Sequence, residues 1–223
     1  MPDSSWIFAK RSIGLSKIYL ITGIFLSGFG VFAAVAIMLL GNGAPDEVFL
    51  FPVPFMAFGI LMVSTSVVLL YVYDKNNGVL EYLLSIGWSQ GDIFKRYLKA
   101  ALYLGLALFV AELAAIVVAV VISGSLLGLM TIAFTAALGF SAMSLVTVAM
   151  MAFSSLQKQR VGANAPLGMI LGVAVIIPTF YTPLLSFPLA FLADLSIAAI
   201  AGGLSLLLLI LSGRLIRREK MLP

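Results

Sequence analysis

Glu112 stands inside an unbroken apolar stretch, thirteen residues beyond the last basic residue before it, Lys99. On a helix that is roughly 20 Å of rise into a hydrocarbon layer of ~30 Å. An ionisable side chain at such depth is a functional candidate, and no Lys or Arg of the chain lies at a comparable depth to pair with it. Glu112 is therefore expected to be protonated and bonded to a hydroxyl or carbonyl, or to face a polar cavity or a subunit interface. Other chemistry is scarce. The chain has no cysteine and no histidine, which removes disulfides, thiolate catalysis, His-ligated metals and every His-dependent triad. No catalytic residue, metal-ligating cluster or cofactor site is expected.

The elements that carry Glu112 follow from composition. Of the 223 residues 62% are hydrophobic and 10% charged, against roughly 25% charged in soluble domains. The apolar residues come in blocks of twenty or more, long enough to cross a bilayer as helices, and lack the every-second-residue alternation of a membrane barrel. The expected fold is an all-α membrane protein of one transmembrane domain, with spans at 18–40, 48–73, 98–122, 126–153, 165–177 and 189–212. The first block follows Lys10, Arg11 and Lys17 and has no small-residue cleavage pattern, so it reads as a retained span.

The 13 basic residues fall in four clusters: Lys10, Arg11, Lys17; Lys75, Lys95, Arg96, Lys99; Lys158, Arg160; and Arg214, Arg217, Arg218, Lys220. Six spans put all four clusters on one side, leaving the other side with Asp46 and Glu47 and, by assignment, Asp194. By the positive-inside rule both termini are then cytoplasmic in a multi-pass protein of the cell membrane. The net charge of +4 is thereby explained as orientation, and no nucleic-acid partner is expected. Residues 5–16, with Trp6, Ile7, Phe8 and Ile13 beside Lys10 and Arg11, suit an amphipathic helix in the cytoplasmic interface. Residues 178–188 contain Pro178, Pro183 and Pro188, which stop a regular helix. That segment either re-enters the membrane shielded by protein or rests at the outer interface, where it is a candidate gate.

The link at 74–97 reads DKNNGVLEYLLSIGWSQGDIFKRY. Gly78 ends or bends the second span, and Leu80, Leu83 and Leu84 repeat at helical spacing with Glu81 and Ser85 on other faces. Gly87 can terminate that short helix, and Ser89 with Asp92 forms a capping pattern for the next one, which carries Ile93, Phe94 and Tyr97. Such a helix can dock on a partner and pass movement to the two spans beside it.

This segment resembles the first cytoplasmic loop of the type-2 ABC exporter permeases, of the form acidic-x-x-x-G-x-L-E-x-L-L-S-x-P-x-S followed by an apolar residue. The matching positions are Asp74, Gly78, Leu80, Glu81, Leu83, Leu84, Ser85, Ser89 and Ile93. Gly87 stands where the family usually has proline, and both residues break a helix. The resemblance implies that the segment is a coupling helix seated on a cytoplasmic ABC ATPase subunit. It also implies a homodimer, or a heterodimer with a similar permease, exporting a substrate that the sequence does not specify. The chain has no G-x-x-x-x-G-K-[ST] phosphate loop, so ATP and Mg would be held by the partner. Rival readings are an ATP-independent channel or carrier built around Glu112, or a scaffold subunit of a membrane complex. Gly124 with Gly128, and Gly168 with Gly172, have spacings that permit close helix contacts.

Overall fold

A computed structural model describes residues 5–41, 46–156 and 165–215. Among them every regular element is helical: α1 Ser5–Leu15, α2 Lys17–Leu40, α3 Val53–Asn76, α4 Val79–Ser85, α5 Gln90–Ser123, α6 Leu127–Leu156, α7 Ala165–Ile176 and α8 Phe187–Leu215, with 3-10 turns at Asp46–Leu50, Ile177–Phe180 and Thr182–Leu184. Five helices, α2, α3, α5, α6 and α8, are long and apolar enough to cross a membrane. The chain is thus a multi-pass membrane protein by its helices. The short stretch expected as a span at 165–177 is helical at those bounds, but α7 with its 12 residues rises roughly 18 Å, less than the ~30 Å of a hydrocarbon layer. The prolines explain the stop. Pro178 and Pro183 each open a 3-10 turn and Pro188 is the second residue of α8, positions where a missing N–H costs nothing.

α3 is the axis of the bundle. Its most apolar stretch is 83% buried, against 22% for α5 and for α8, and it packs on α2, α5 and α6 as well as on α1 and α4. α2 sends Ile18, Ile21, Phe25 and Phe32 outward and turns Gly23, Ser27, Gly30 and Ala34 toward α3. That division suits lipid as solvent: apolar side chains gain nothing by leaving it, so helices associate where small residues let backbones approach. The approach is close. A Cβ added to Gly23 would lie 2.8 Å from the carbonyl oxygen of Gly59 on α3, and one added to Gly59 would lie 2.8 Å from that of Gly23.

The glycine pairs singled out by spacing play other parts. Gly124 lies outside α5 and closes its C-terminus at φ +69°, while Gly128 alone touches a neighbour, Met38 of α2. Gly172 faces Leu61 and Val146.

The two ends of the bundle are distinct. At one, α4 connects α3 to α5 and packs near α1. At the other, the turn Thr182–Leu184 packs against the turn Asp46–Leu50, and the Phe180 ring meets Phe55 edge-on at 5.0 Å. Ser154 and Ser155, near the end of α6, belong to the α4 end through contacts with Lys75 and Tyr71. Ser155 and Pro178 therefore lie at opposite ends of the bundle. Asp194, placed by charge counting on the side opposite the basic clusters, lies in the first turns of α8, 1% exposed, against Thr182. Lys158, Arg160, Arg217, Arg218 and Lys220 fall outside the described residues, as do the side chains of Asp46, Glu47 and Arg214.

Candidate functional site

At the α4 end, three helices meet on one carboxylate. Asp74, in the last turn of α3, is wholly buried. It accepts hydrogen bonds from Arg11 of α1, Nη2 to Oδ1 at 2.8 Å and Nη1 to Oδ2 at 3.3 Å, and from the Tyr97 hydroxyl of α5 at 2.5 Å. The guanidinium fork matches the two carboxylate oxygens, a geometry that fixes orientation as well as charge. Arg11 stays 40% exposed, so one partner of the pair keeps contact with solvent or headgroups while the other has none.

A second tie runs from α3 to α6. The buried ammonium of Lys75 donates to the carbonyl of Ser154, and the Tyr71 hydroxyl shares a hydrogen bond with Ser155 at 2.5 Å. Both contacts fall in the last turn of α6, where unpaired carbonyls and the negative end of the helix dipole favour a cation. Aromatic rings fill the space between these ties: Tyr97 stands edge-on to Tyr71 at 5.1 Å and against Phe8 of α1 at 4.7 Å.

α4 rests on this layer. Leu80, Leu83 and Leu84 are buried in one cluster with Phe8, Tyr71, Ile93, Phe94 and Tyr97. Glu81, Tyr82, Ser85 and Ile86 point outward; Tyr82 is 63% and Ile86 52% exposed. Gly78 and Gly87 bracket the helix at φ +74° and +95°, a region where a side chain is strained and glycine is not. Ser89 then caps α5, its Oγ accepting from the Asp92 N–H at 3.1 Å and donating to the Asp92 carboxylate at 2.6 Å. Trp88 lies under the Arg96 guanidinium, 4.1 Å from the ring centre.

The structure thus divides the residues that spacing had grouped. Leu80, Leu83 and Leu84 root α4 in the bundle, Asp74 is the buried anchor beneath it, and Glu81, Ser85, Gly87 and Ser89 are surface. Arg11, Tyr71, Lys75 and Tyr97 complete the arrangement without having been marked as site residues. One signal for them was present: Arg11 closes on the first span and Asp74 on the second, opposite charges at the same end of adjacent apolar blocks.

Glu112 is elsewhere, fifteen residues beyond Tyr97 on α5 and so roughly 22 Å further along the helix. It is 1% exposed and accepts from the Ser27 hydroxyl of α2 at 2.5 Å, and its second oxygen, Oε2, has no partner among the described residues. Ser27 also packs against Gly59, so this carboxyl lies at the junction of α2, α3 and α5. Pro178, Pro183 and Pro188 belong to the opposite end; Pro178 and Pro188 are exposed and Pro183 half-buried.

Comparison with family models, with curated proteins and with solved structures finds no match to this chain.

Proposed function

We propose that the chain is the transmembrane permease subunit of an ATP-driven exporter similar to the type-2 ABC class, with α4 as the helix that receives force from a separate ATPase subunit. The observation that carries this reading is the division of α4 between a leucine face buried against α3 and α5 and an exposed face of Glu81, Tyr82, Ser85 and Ile86. A helix so seated offers a partner a small mixed polar and aromatic surface. Its displacement would load the Asp74–Arg11–Tyr97 junction, and through it α1, α3 and α5 together.

On this reading α7 and the turns after it complete a sixth crossing, both termini are cytoplasmic, and the protein lies in the cell membrane. Two observations support that polarity: the described basic residues gather at the α4 end, and Ser155 and Pro178 lie at opposite ends of the bundle. ATP and Mg would bind the partner ATPase, the chain itself would make and break no covalent bond, and two permease chains would form the pathway. The turns at 178–188 would then form the outer gate.

The deciding experiment is co-purification with an ABC ATPase encoded beside this chain, followed by ATPase assays of the complex. Tyr82→Ala and Ile86→Asp should leave the complex folded and reduce transport-linked ATP hydrolysis several-fold. Stable purification with no such ATPase, or full coupling in both variants, would rule the reading out. A second reading, an ATP-independent carrier, is favoured by one observation only, the Oε2 of Glu112, which has no partner among the described residues. It requires transport by the chain alone in vesicles without nucleotide.

A further inference from the structure

An open cavity of about 390 Å³ lies between the start of α1 and the outward face of α5, lined by Trp6, Tyr103, Leu106, Ala107 and Val110. Tyr103, Leu106 and Val110 recur at spacings of three and four and so share one face of α5, with Ala107 as the low point between them. These side chains are well exposed, Trp6 at 59% and Val110 at 58%. The groove belongs to the protein's lipid-facing surface, and its shape is held by contacts behind it: Phe8 against Tyr97, and Arg11 on Asp74.

Two features single this groove out from the rest of that surface. The first is charge. Lys99 lies one helical turn before Tyr103 on the same face of α5, and Lys10 one turn after Trp6 on the same face of α1. Both are exposed. Two described acids at this end are engaged elsewhere: Asp74 is buried under Arg11 and Tyr97, and Asp92 is bonded to Ser89 and lies in the field of Lys95 and Arg96. The second is length. Lys99 to Val110 is eleven residues, roughly 16 Å of helix, which is about one leaflet of a ~30 Å hydrocarbon layer.

We infer that this groove binds a single glycerophospholipid with an anionic headgroup, one acyl chain lying along Leu106, Ala107 and Val110, and the phosphate held between Lys10 and Lys99. Trp6 and Tyr103 flank the chain where it meets the headgroup, the level at which amphipathic rings are stable. The groove supplies shape for a chain and the two ammonium groups supply the preference for negative charge, worth roughly fivefold per lysine near a membrane surface.

The chain has two tryptophans, Trp6 and Trp88, so Trp88→Phe leaves Trp6 as the reporter in the full-length protein. Reconstituted into choline-lipid vesicles, this variant is titrated with phosphatidylglycerol or phosphatidylcholine brominated on the acyl chains, and quenching of Trp6 is read. The expected result is half-maximal quenching at a mole fraction at least fivefold lower for the brominated phosphatidylglycerol. That preference should vanish in Lys10→Gln/Lys99→Gln and shrink in Ala107→Phe, which fills the groove. Circular dichroism checks that each variant keeps its helices. Equal quenching by the two lipids means ordinary solvation and overturns the inference, as does a preference that survives loss of both lysines. Absence of quenching by either lipid also overturns it, because a second copy or another protein then covers Trp6.

Discussion

Arg11 and Asp74 meet across sixty-three positions of sequence as a two-pronged ion pair in which the carboxylate has no solvent contact and the guanidinium is 40% exposed. The pair is asymmetric, and its two deletions are not equivalent. Arg11→Gln leaves Asp74 buried with only the Tyr97 hydroxyl, whereas Asp74→Asn leaves an arginine free to turn toward solvent or lipid phosphate.

Arg11→Gln is accordingly expected to destabilise the protein by about 3 kcal/mol, at the lower end for breaking a buried pair. Asp74→Asn should cost about 1 kcal/mol, in the range of a weakened hydrogen bond. Thermal unfolding in lipid nanodiscs measures both. Arg11→Gln made on the Asp74→Asn background should add little, and an equal cost in both backgrounds would mean that the pair contributes nothing.

The two faces of α4 should separate in the same assay. Leu84→Ala opens a hole in the cluster shared with Phe94 and Tyr97 and is expected to cost about 2–5 kcal/mol. Tyr82→Ala, on the outward face, should stay within roughly 0.5 kcal/mol of the parent. If the two variants unfold alike, α4 is not rooted as described.

The α2–α3 contact makes a sharper case. Gly59→Ala places a methyl 2.8 Å from the Gly23 carbonyl oxygen and from the Ser27 Cβ, so the helices must part, at a cost of about 1–3 kcal/mol. Gly28→Ala, one step from Ser27 on the same helix but with open space around it, should stabilise slightly, by up to about 1 kcal/mol. A neutral Gly59→Ala would show that the backbones are not in contact.

Ser27→Ala strands both oxygens of a buried carboxyl and is expected to cost about 1–3 kcal/mol. Glu112→Gln keeps an oxygen to accept from Ser27 and should leave assembly intact; under the proposed function it should change transport. Parental transport in Glu112→Gln, together with a Glu112→Leu variant at least as stable, would make Glu112 a packing residue and nothing more.

How far the sequence reveals this molecule depends on the range of the interactions involved. Apolar runs and breakers are local, so the long helices, the Ser89 cap and the short helix between Gly78 and Gly87 could all be read along the chain. The prolines that begin at 178 likewise mark the end of α7 and its shortness, while the 3-10 turns that replace a regular helix there are not legible from them. Long-range pairing is different. Nothing local distinguishes Arg11, which reaches Asp74, from Lys10, which points away, and nothing in the spacing of the glycines picks Gly23 and Gly59 over Gly124, which closes a helix. Glu112 was found by its depth, while its partner Ser27, on another helix, could be named only as one hydroxyl among many.

Gly78 and Gly87 give α4 a mechanical character. Backbone compliance is concentrated at two points, each with open space where a side chain would stand, and between them lie seven stiff helical residues. In the proposed coupling role, a load on the outer face would tilt α4 as a unit without unwinding α3 or α5. The work would pass sideways, through three leucines acting as short levers on the aromatic layer. Replacing either glycine would tax that freedom before it touched a single contact of the folded protein.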